Sequence, residues 1–212
     1  MSRYLVMSKK LSLLLMLIAA SLVGFAMIRE AGSADSKPAY KLGERLPQGK
    51  SGAASTAGFR EIKWDDLIPA DWDPRKLFKD IDMRMLDDSD PRAILALEKL
   101  REVWSNAPPR SELNGARVKV PGFVVPLERK GDQITEFLLV PYFGACIHTP
   151  PPPSNQIIHV FASRPVKDTS TMDAVWASGV LEVARSETGM GNASYRLRAE
   201  VVAPYRDPGR QR

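Results

Sequence analysis

Cysteine and histidine are scarce in this chain. Its 212 residues include one cysteine, Cys146, and two histidines, His148 and His159. A single cysteine excludes a disulfide within the chain, so the fold cannot depend on such a bridge. Cysteine and histidine also supply most of the side chains that bind zinc or act as nucleophiles near neutral pH. All three lie between residues 146 and 159. If the protein binds zinc or uses a cysteine or histidine in catalysis, the sequence predicts that it does so in this stretch.

A concentrated positive charge is also missing, although the formal net charge is +5. Four of the cations lie in the first 30 residues, where Glu30 is the only acid. The remaining lysines and arginines are interspersed with Asp and Glu and form no basic stripe. We therefore expect no nucleic-acid partner. The early cations are Arg3, Lys9, Lys10 and Arg29.

Long apolar runs are absent except for Leu11 to Ile28. Cations precede this run, which is typical of a segment that directs export with the N-terminus left in the cytoplasm. Residues 1–34 are predicted to be either a signal peptide, cleaved near Gly32 to Ala34, or an N-terminal membrane anchor. In both cases the rest of the chain is expected in the periplasm, soluble or anchored to the inner membrane.

Composition divides the exported part into three pieces. Residues 35–60 are rich in Gly, Ser, Ala and Lys and are predicted to be a flexible linker. Residues 61–204 are predicted to form one globular domain, in which Trp64 and Trp72 hold the N-terminal arm against the domain. Residues 205–212 are predicted to be a basic C-terminal tail.

One helix and five strands are predicted within the domain. Asp90 and Pro91 suit a helix start, and the apolar residues that follow at helical spacing predict a packed amphipathic helix ending before Pro108. Alternating apolar residues then predict strands, and Gly122 and Gly179 interrupt two of them. The predicted strands are Arg117–Leu127, Ile134–Tyr142, Ile157–Phe161, Val175–Val183 and Tyr195–Val202.

These elements predict a mainly β (α+β) fold. We expect a small OB-like antiparallel barrel with an N-terminal amphipathic helix, because glycine-kinked strands help a short sheet to close. An open antiparallel sheet packed under the helix is the alternative.

The loop between the second and third strands carries the candidate site. Pro150 to Pro153 predict a stiff polyproline II segment. In an extended chain Cys146 and His148 would point to the same side, and a turn after the prolines could return His159 toward them. Cys146, His148 and His159 are therefore candidate metal ligands, with zinc as the candidate metal and a carboxylate as the fourth ligand. The opposing interpretation is a buried structural cysteine and hydrogen-bonded histidines.

Three segments carry a resemblance to a known family. They are Trp-Asp-Asp-Leu-Ile-Pro at 64–69, Gly-Phe-Val-Val-Pro-Leu at 122–127, and the region 137–156 with its Cys-x-His-x-Pro-Pro-Pro-Pro motif. The chain resembles, over residues 60–204, an exported bacterial family of unknown function. Members of that family are often encoded beside zinc-responsive ABC transporter genes. The resemblance implies a role in zinc handling in the envelope with a transporter as partner, and it implies no catalytic residue.

Two functions remain open, and a third is disfavoured. The first is a non-enzymatic, metal-binding accessory to an ABC-type transport system. The second is an interaction module of a membrane complex that docks through the polyproline loop, with Cys146 structural. A thiol enzyme is disfavoured, because residues two apart on a strand do not normally form a nucleophile and base pair. A serine hydrolase lacks its Gly-x-Ser-x-Gly turn.

Overall fold

A computed structural model of the protein describes residues 39–47, 58–74, 76, 87, 90–149 and 151–206. The predicted targeting segment, much of the predicted linker and residues 207–212 of the predicted tail lie outside the described residues. Within these ranges no helix has the length and apolar content needed to cross a membrane.

Strands dominate the described part of the chain. Five of them close into a barrel in the order β2-β3-β4-β6-β5, with β5 pairing back onto β2, and the two-residue strand β1 is added to the outer edge of β2. The five predicted strands are therefore confirmed; four of them are longer than predicted, and β3 ends two residues earlier, at Val140. The bounds are β1 Arg60–Glu61, β2 Ala116–Lys130, β3 Gln133–Val140, β4 Ile158–Val166, β5 Ala174–Thr188 and β6 Gly191–Pro204.

The order of the strands is that of a Greek-key barrel of the OB type. The neighbouring barrel strands run antiparallel, except for the β4 and β6 pair, which is parallel with His159 opposite Arg196. That pair is parallel because β5 and β6 form a hairpin whose second strand returns beside β4. The predicted class, a mainly β barrel with one helix, is confirmed.

Glycine permits the close strand contact that the barrel needs on β5. A Cβ at Gly179 would collide with the backbone carbonyl of Arg198 on the neighbouring strand β6. The pairing of β5 with β6 also shifts register between Ser178 and Gly179, as at a bulge. Gly179 therefore bends β5 where the small barrel closes, as its interruption of the strand pattern predicts.

The barrel is filled by an interior core. Trp64 is buried in it and donates a hydrogen bond from its indole nitrogen to the carbonyl of Pro121 over 2.7 Å. The 3-10 turn Trp64–Leu67 thus closes one end of the barrel. The interior core consists of Ile62, Trp64, Leu67, Leu113, Val118, Val120, Val124, Ile134, Phe137, Leu139, Ile158, Val160, Val175, Ala177, Leu181, Tyr195, Leu197 and Ala199.

A second hydrophobic group, the outer cluster, covers part of the outside of the barrel. Val125 and Leu138 belong to it, whereas their chain neighbours Val124 and Leu139 belong to the interior core. Strands that are buried on both faces appear in sequence as continuous apolar runs. The outer cluster consists of Leu46, Phe123, Val125, Leu138, Val140, Ala145, Ile157, Met172, Trp176, Ala193 and Tyr205.

Helix α1, Pro91–Ser105, begins as predicted. Asp90 accepts a hydrogen bond from the backbone N–H of Arg92 over 2.8 Å, and Pro91 occupies the first turn. Its packing differs from the prediction, because Ala96 is its one buried residue while the large apolar side chains Ile94, Leu95 and Leu97 are exposed. A closed barrel fills its interior with its own side chains, so it offers this helix no open apolar sheet face.

Candidate functional site

The loop that carries Cys146 begins as a tight turn after β3. The carbonyl of Gly144 accepts hydrogen bonds from the N–H groups of Ile147, His148 and Thr149 over 3.3, 2.8 and 3.1 Å. Cys146 has a φ of +65°, in the left-handed region that side chains rarely adopt. The extended conformation assumed for Cys146 and His148 in the sequence argument therefore does not occur.

The Cys146 thiol faces inward. The side chain packs against the outer cluster, and its Sγ lies 3.6 Å from the position that a Cβ on Gly191 would take. Burial raises the pKa of Cys146 to about 11. The thiol is therefore protonated near neutral pH when no metal is bound, and a protonated thiol is a poor nucleophile.

His148 faces the opposite way. Its backbone N–H is held by Gly144, whereas the residue itself is exposed to solvent. Ile147, between Cys146 and His148, is also exposed. The turn therefore separates the two residues of the Cys-x-His motif, with the sulfur inside and the imidazole outside.

His159 lies on β4, where Ile158 and Val160 point into the barrel, so its side chain projects from the outer face. It is buried, and its Nε2 lies 2.6 Å from Oε1 of Glu136 on β3. Its ring packs against Phe161 with centroids 4.4 Å apart. Its Nδ1 is buried without a hydrogen-bond partner in the part of the chain that the structure describes.

The positions of Cys146, His148 and His159 can be compared with the coordination that a zinc site requires. Zinc takes four ligands, or three with one open position, and its thiolate ligands must be deprotonated. Among the described residues no group of three or more His, Cys, Asp or Glu is placed to hold a metal ion. Cys146 packs against the outer cluster, His148 is exposed to solvent and His159 contacts Glu136 on the outer face of the barrel. In this geometry the three predicted ligands do not form one site.

The proline segment is held firmly at its far end. Pro153 has polyproline II angles, φ −52° and ψ 145°, and the 3-10 turn Ser154–Gln156 follows it. Asn155 donates to the carbonyl of Pro108 over 3.0 Å, and Gln156 donates to that of Trp64 over 2.7 Å. Sequence reasoning treated Ser154 and Asn155 only as turn formers. Three successive polar residues after a proline run are the signal that could have identified them.

An N-terminal arm, Tyr40–Pro47, lies across the same loop. Gly43 donates to the carbonyl of Phe143 and Phe143 donates to that of Glu44, both over 2.9 Å. Leu46 is buried in the outer cluster, and the Tyr40 ring meets that of Phe123 edge to face at 5.0 Å. The segment predicted as a linker therefore contains a piece that packs against the domain.

Comparisons with known proteins agree with the resemblance seen in the sequence. A family model described as "Protein of unknown function (DUF3299)" matches residues 64–204. A crystal structure of a DUF3299 family protein from Pseudomonas aeruginosa PAO1 is 34% identical, with a TM-score of 0.56, and the match covers 72% of this chain and 100% of that one. None of the functionally curated proteins matches the chain. The likeness extends over the barrel and the loop.

Proposed function

We propose that this chain, which belongs to the DUF3299 family of proteins of unknown function, is a non-enzymatic interaction module of a membrane complex in the cell envelope. Its contact surface is the docking loop, which among the described residues comprises His148, Thr149 and Pro151 to Pro153. Cys146 has a structural role under this loop. The partner is expected to present an aromatic groove, the kind of surface that binds polyproline II segments.

The single observation that carries this proposal is the division of the loop into an inner and an outer side. The thiol packs inward, whereas His148 and Pro151 are exposed. A catalytic or metal-binding loop would direct the thiol and an imidazole toward a common point. Here the groups available to another molecule are the His148 imidazole and the ring of Pro151, which suit a contact surface better.

The stiffness of the docking loop supports the same conclusion. One end is fixed by the Gly144 turn, and the other by the hydrogen bonds of Asn155 and Gln156. Association costs free energy when mobile side chains and loops must be ordered. Because both ends of the loop are already held by hydrogen bonds, they lose little of this freedom on binding.

Zinc binding and a role as accessory protein of an ABC-type transporter remain predictions from the family resemblance. The described geometry offers them no shared set of ligands, so docking is the better supported function. Export or membrane anchoring through residues 1–34 is part of the proposal, since a partner in the envelope requires it.

A photo-crosslinking experiment tests the docking loop in the full chain, expressed in bacterial cells. A photoreactive amino acid replaces His148, and a matched control places it at Val201, which is exposed on β6. We expect one discrete crosslinked membrane protein from position 148 and none from position 201. Pro151→Asp should lower that yield about tenfold, equivalent to about 1.4 kcal/mol of binding free energy.

The same preparation tests the competing metal site. Bound zinc is measured on the purified wild type and on Cys146→Ser and His148→Ala. Zinc retained by the wild type and lost by both variants would overturn the docking proposal in favour of a metal site. A crosslinking yield from position 148 that Pro151→Asp does not change would also contradict the docking proposal.

A further inference from the structure

Four side chains form a group on the outer face of β3, β4 and β6, apart from the docking loop. They are Glu136, His159, Phe161 and Arg196. Their chain neighbours on these strands belong to the interior core, so the four side chains project outward. His159 lies opposite Arg196 in the pairing of β4 with β6, and Glu136 lies opposite Phe161 in the pairing of β3 with β4. The four side chains are therefore neighbours on the barrel wall.

Arg196 carries a charge that no acid balances. It is half-buried, and it forms no hydrogen bond or ion pair with any described residue. Its Nε is buried, and its guanidinium carbon lies 5.3 Å from the centre of the Phe161 ring. Glu182, which lies opposite on β5, is bound to Arg198 at 2.9 Å instead. Buried donors are normally hydrogen-bonded, and an unpaired one costs free energy.

His159 places an unpaired acceptor next to this unpaired donor. Its Nε2 lies 2.6 Å from Oε1 of Glu136. An ionised carboxylate only accepts hydrogen bonds, so Nε2 carries the hydrogen and the Nδ1 of the neutral ring is an acceptor. That Nδ1 is buried and has no partner within the described ranges. The carboxylate of Glu136 is thus used by His159, and the Nδ1 of His159 and the Nε of Arg196 are left over.

These two nitrogens define the chemistry of a ligand. A guanidinium binds a carboxylate through two parallel hydrogen bonds, and the acceptor Nδ1 requires a donor such as a hydroxyl group. Neighbouring strands lie about 4.8 Å apart. A carboxylate and a hydroxyl group on adjacent carbon atoms suit this separation. We propose that the outer face binds a small 2-hydroxycarboxylate, whose carboxylate accepts from Arg196 and whose hydroxyl group donates to His159.

The contacts of Arg196 allow such a ligand to enter. The side chain rests on the Phe161 ring without a hydrogen bond to hold it, so it can move aside. The same ring packs against His159 with centroids 4.4 Å apart, so it offers an apolar contact to the carbon atoms of the ligand. A water molecule is the competing occupant, because it also accepts and donates hydrogen bonds. It is therefore an outcome of the test.

An NMR titration of the full chain, purified in detergent in a buffer without carboxylate or phosphate, tests the site. The probes are lactate, propionate, phosphate and chloride at equal ionic strength, and propionate is the matched control that lacks the hydroxyl group. We expect lactate to shift the ring-nitrogen signals of His159 saturably and to bind about tenfold more tightly than propionate, which leaves Nδ1 unpaired. The signals of the exposed His148 should not move with lactate.

Variants identify the residue that binds the carboxylate. Arg196→Lys keeps the charge but removes the planar fork, so it should weaken lactate binding about tenfold. Arg198→Lys is the matched control, because Arg198 is already bound to Glu182, and the lactate affinity should not change. Arg196→Gln gives the same comparison without a charge on the barrel wall, and thermal unfolding verifies that each variant is folded.

Three results would overturn the proposal. The first is no saturable shift of the His159 signals with lactate, which would leave a structural water only. The second is an affinity for propionate or phosphate equal to that for lactate. The third is an equal effect of Arg196→Lys and Arg198→Lys. No variant here alters the docking loop, so the titration and the crosslink from position 148 succeed or fail independently.

Discussion

The interior core and the outer cluster use the same strands but are completed in different ways. The interior core is closed by the barrel strands with the short segment from Ile62 to Leu67. The outer cluster needs four pieces distant in sequence: Leu46 from the arm, Ala145 from the loop, Met172 from the segment before β5 and Tyr205 after β6. The barrel is therefore the scaffold, whereas the outer cluster positions the surface proposed to contact other molecules.

The largest expected effect separates the two regions by stability. Phe137→Ala empties the interior core and should lower the free energy of unfolding by about 3–5 kcal/mol. Phe143→Ala removes a half-buried ring beside the outer cluster and should cost about 1–2 kcal/mol. Urea denaturation monitored by tryptophan fluorescence measures both. Equal losses would show that the outer cluster is as central to the fold as the barrel interior.

A smaller effect tests how the arm is held on the loop. Gly144→Ala places a methyl group where Leu42 lies, at a glycine whose φ is +87°. Gly131→Ala is the matched control, because its φ is +65° and nothing surrounds it. Both should lose about 1–2 kcal/mol for the left-handed backbone.

Only Gly144→Ala should also loosen the arm. Trypsin should then cleave faster after Lys41 and Arg45 in this variant than in Gly131→Ala, when both are digested at the same denaturant concentration. Identical cleavage rates in the two variants would mean that Leu42 does not depend on Gly144 for its position.

The smallest expected effect concerns the pH dependence of the outer cluster. Burial raises the pKa of Cys146 from an ordinary value of 9.0 to about 11, so the fold favours the protonated thiol. The stability contributed by this protonated group is fully present below pH 9.0 and is lost as the pH rises toward about 11. Cys146→Ser should remove this decrease in the free energy of unfolding between pH 9.0 and about 11, and should leave the pH dependence below pH 9.0 unchanged.

Thiol alkylation gives an independent measurement of the same burial. The rate for the folded protein should continue to rise up to pH about 11, whereas in urea it should level off near the ordinary pKa of 9.0. A folded thiol that reacts fully at neutral pH would contradict the inward placement of Cys146 and favour a reactive cysteine.

The sequence was a good guide wherever local pattern and burial coincide. Alternation identified the five strands, Asp90 with Pro91 identified the helix start, and Gly179 marked a bend that the barrel requires. It was a poor guide to helix α1, whose apolar spacing predicts a packed face but whose Ile94 and Leu97 on that face are exposed. Spacing reports which residues share a face, but not whether another element remains open to cover that face.

The candidate site shows the same limit more sharply. The sequence alone confines all cysteine and histidine chemistry to residues 146–159 and places a stiff proline segment among them. It does not show that Cys146 turns inward, His148 outward, and His159 toward Glu136 on another strand, which depends on how the chain folds. The physical reason is that side-chain direction in a loop depends on backbone hydrogen bonds and distant packing partners, here Gly144, the arm and β3, which no local pattern specifies.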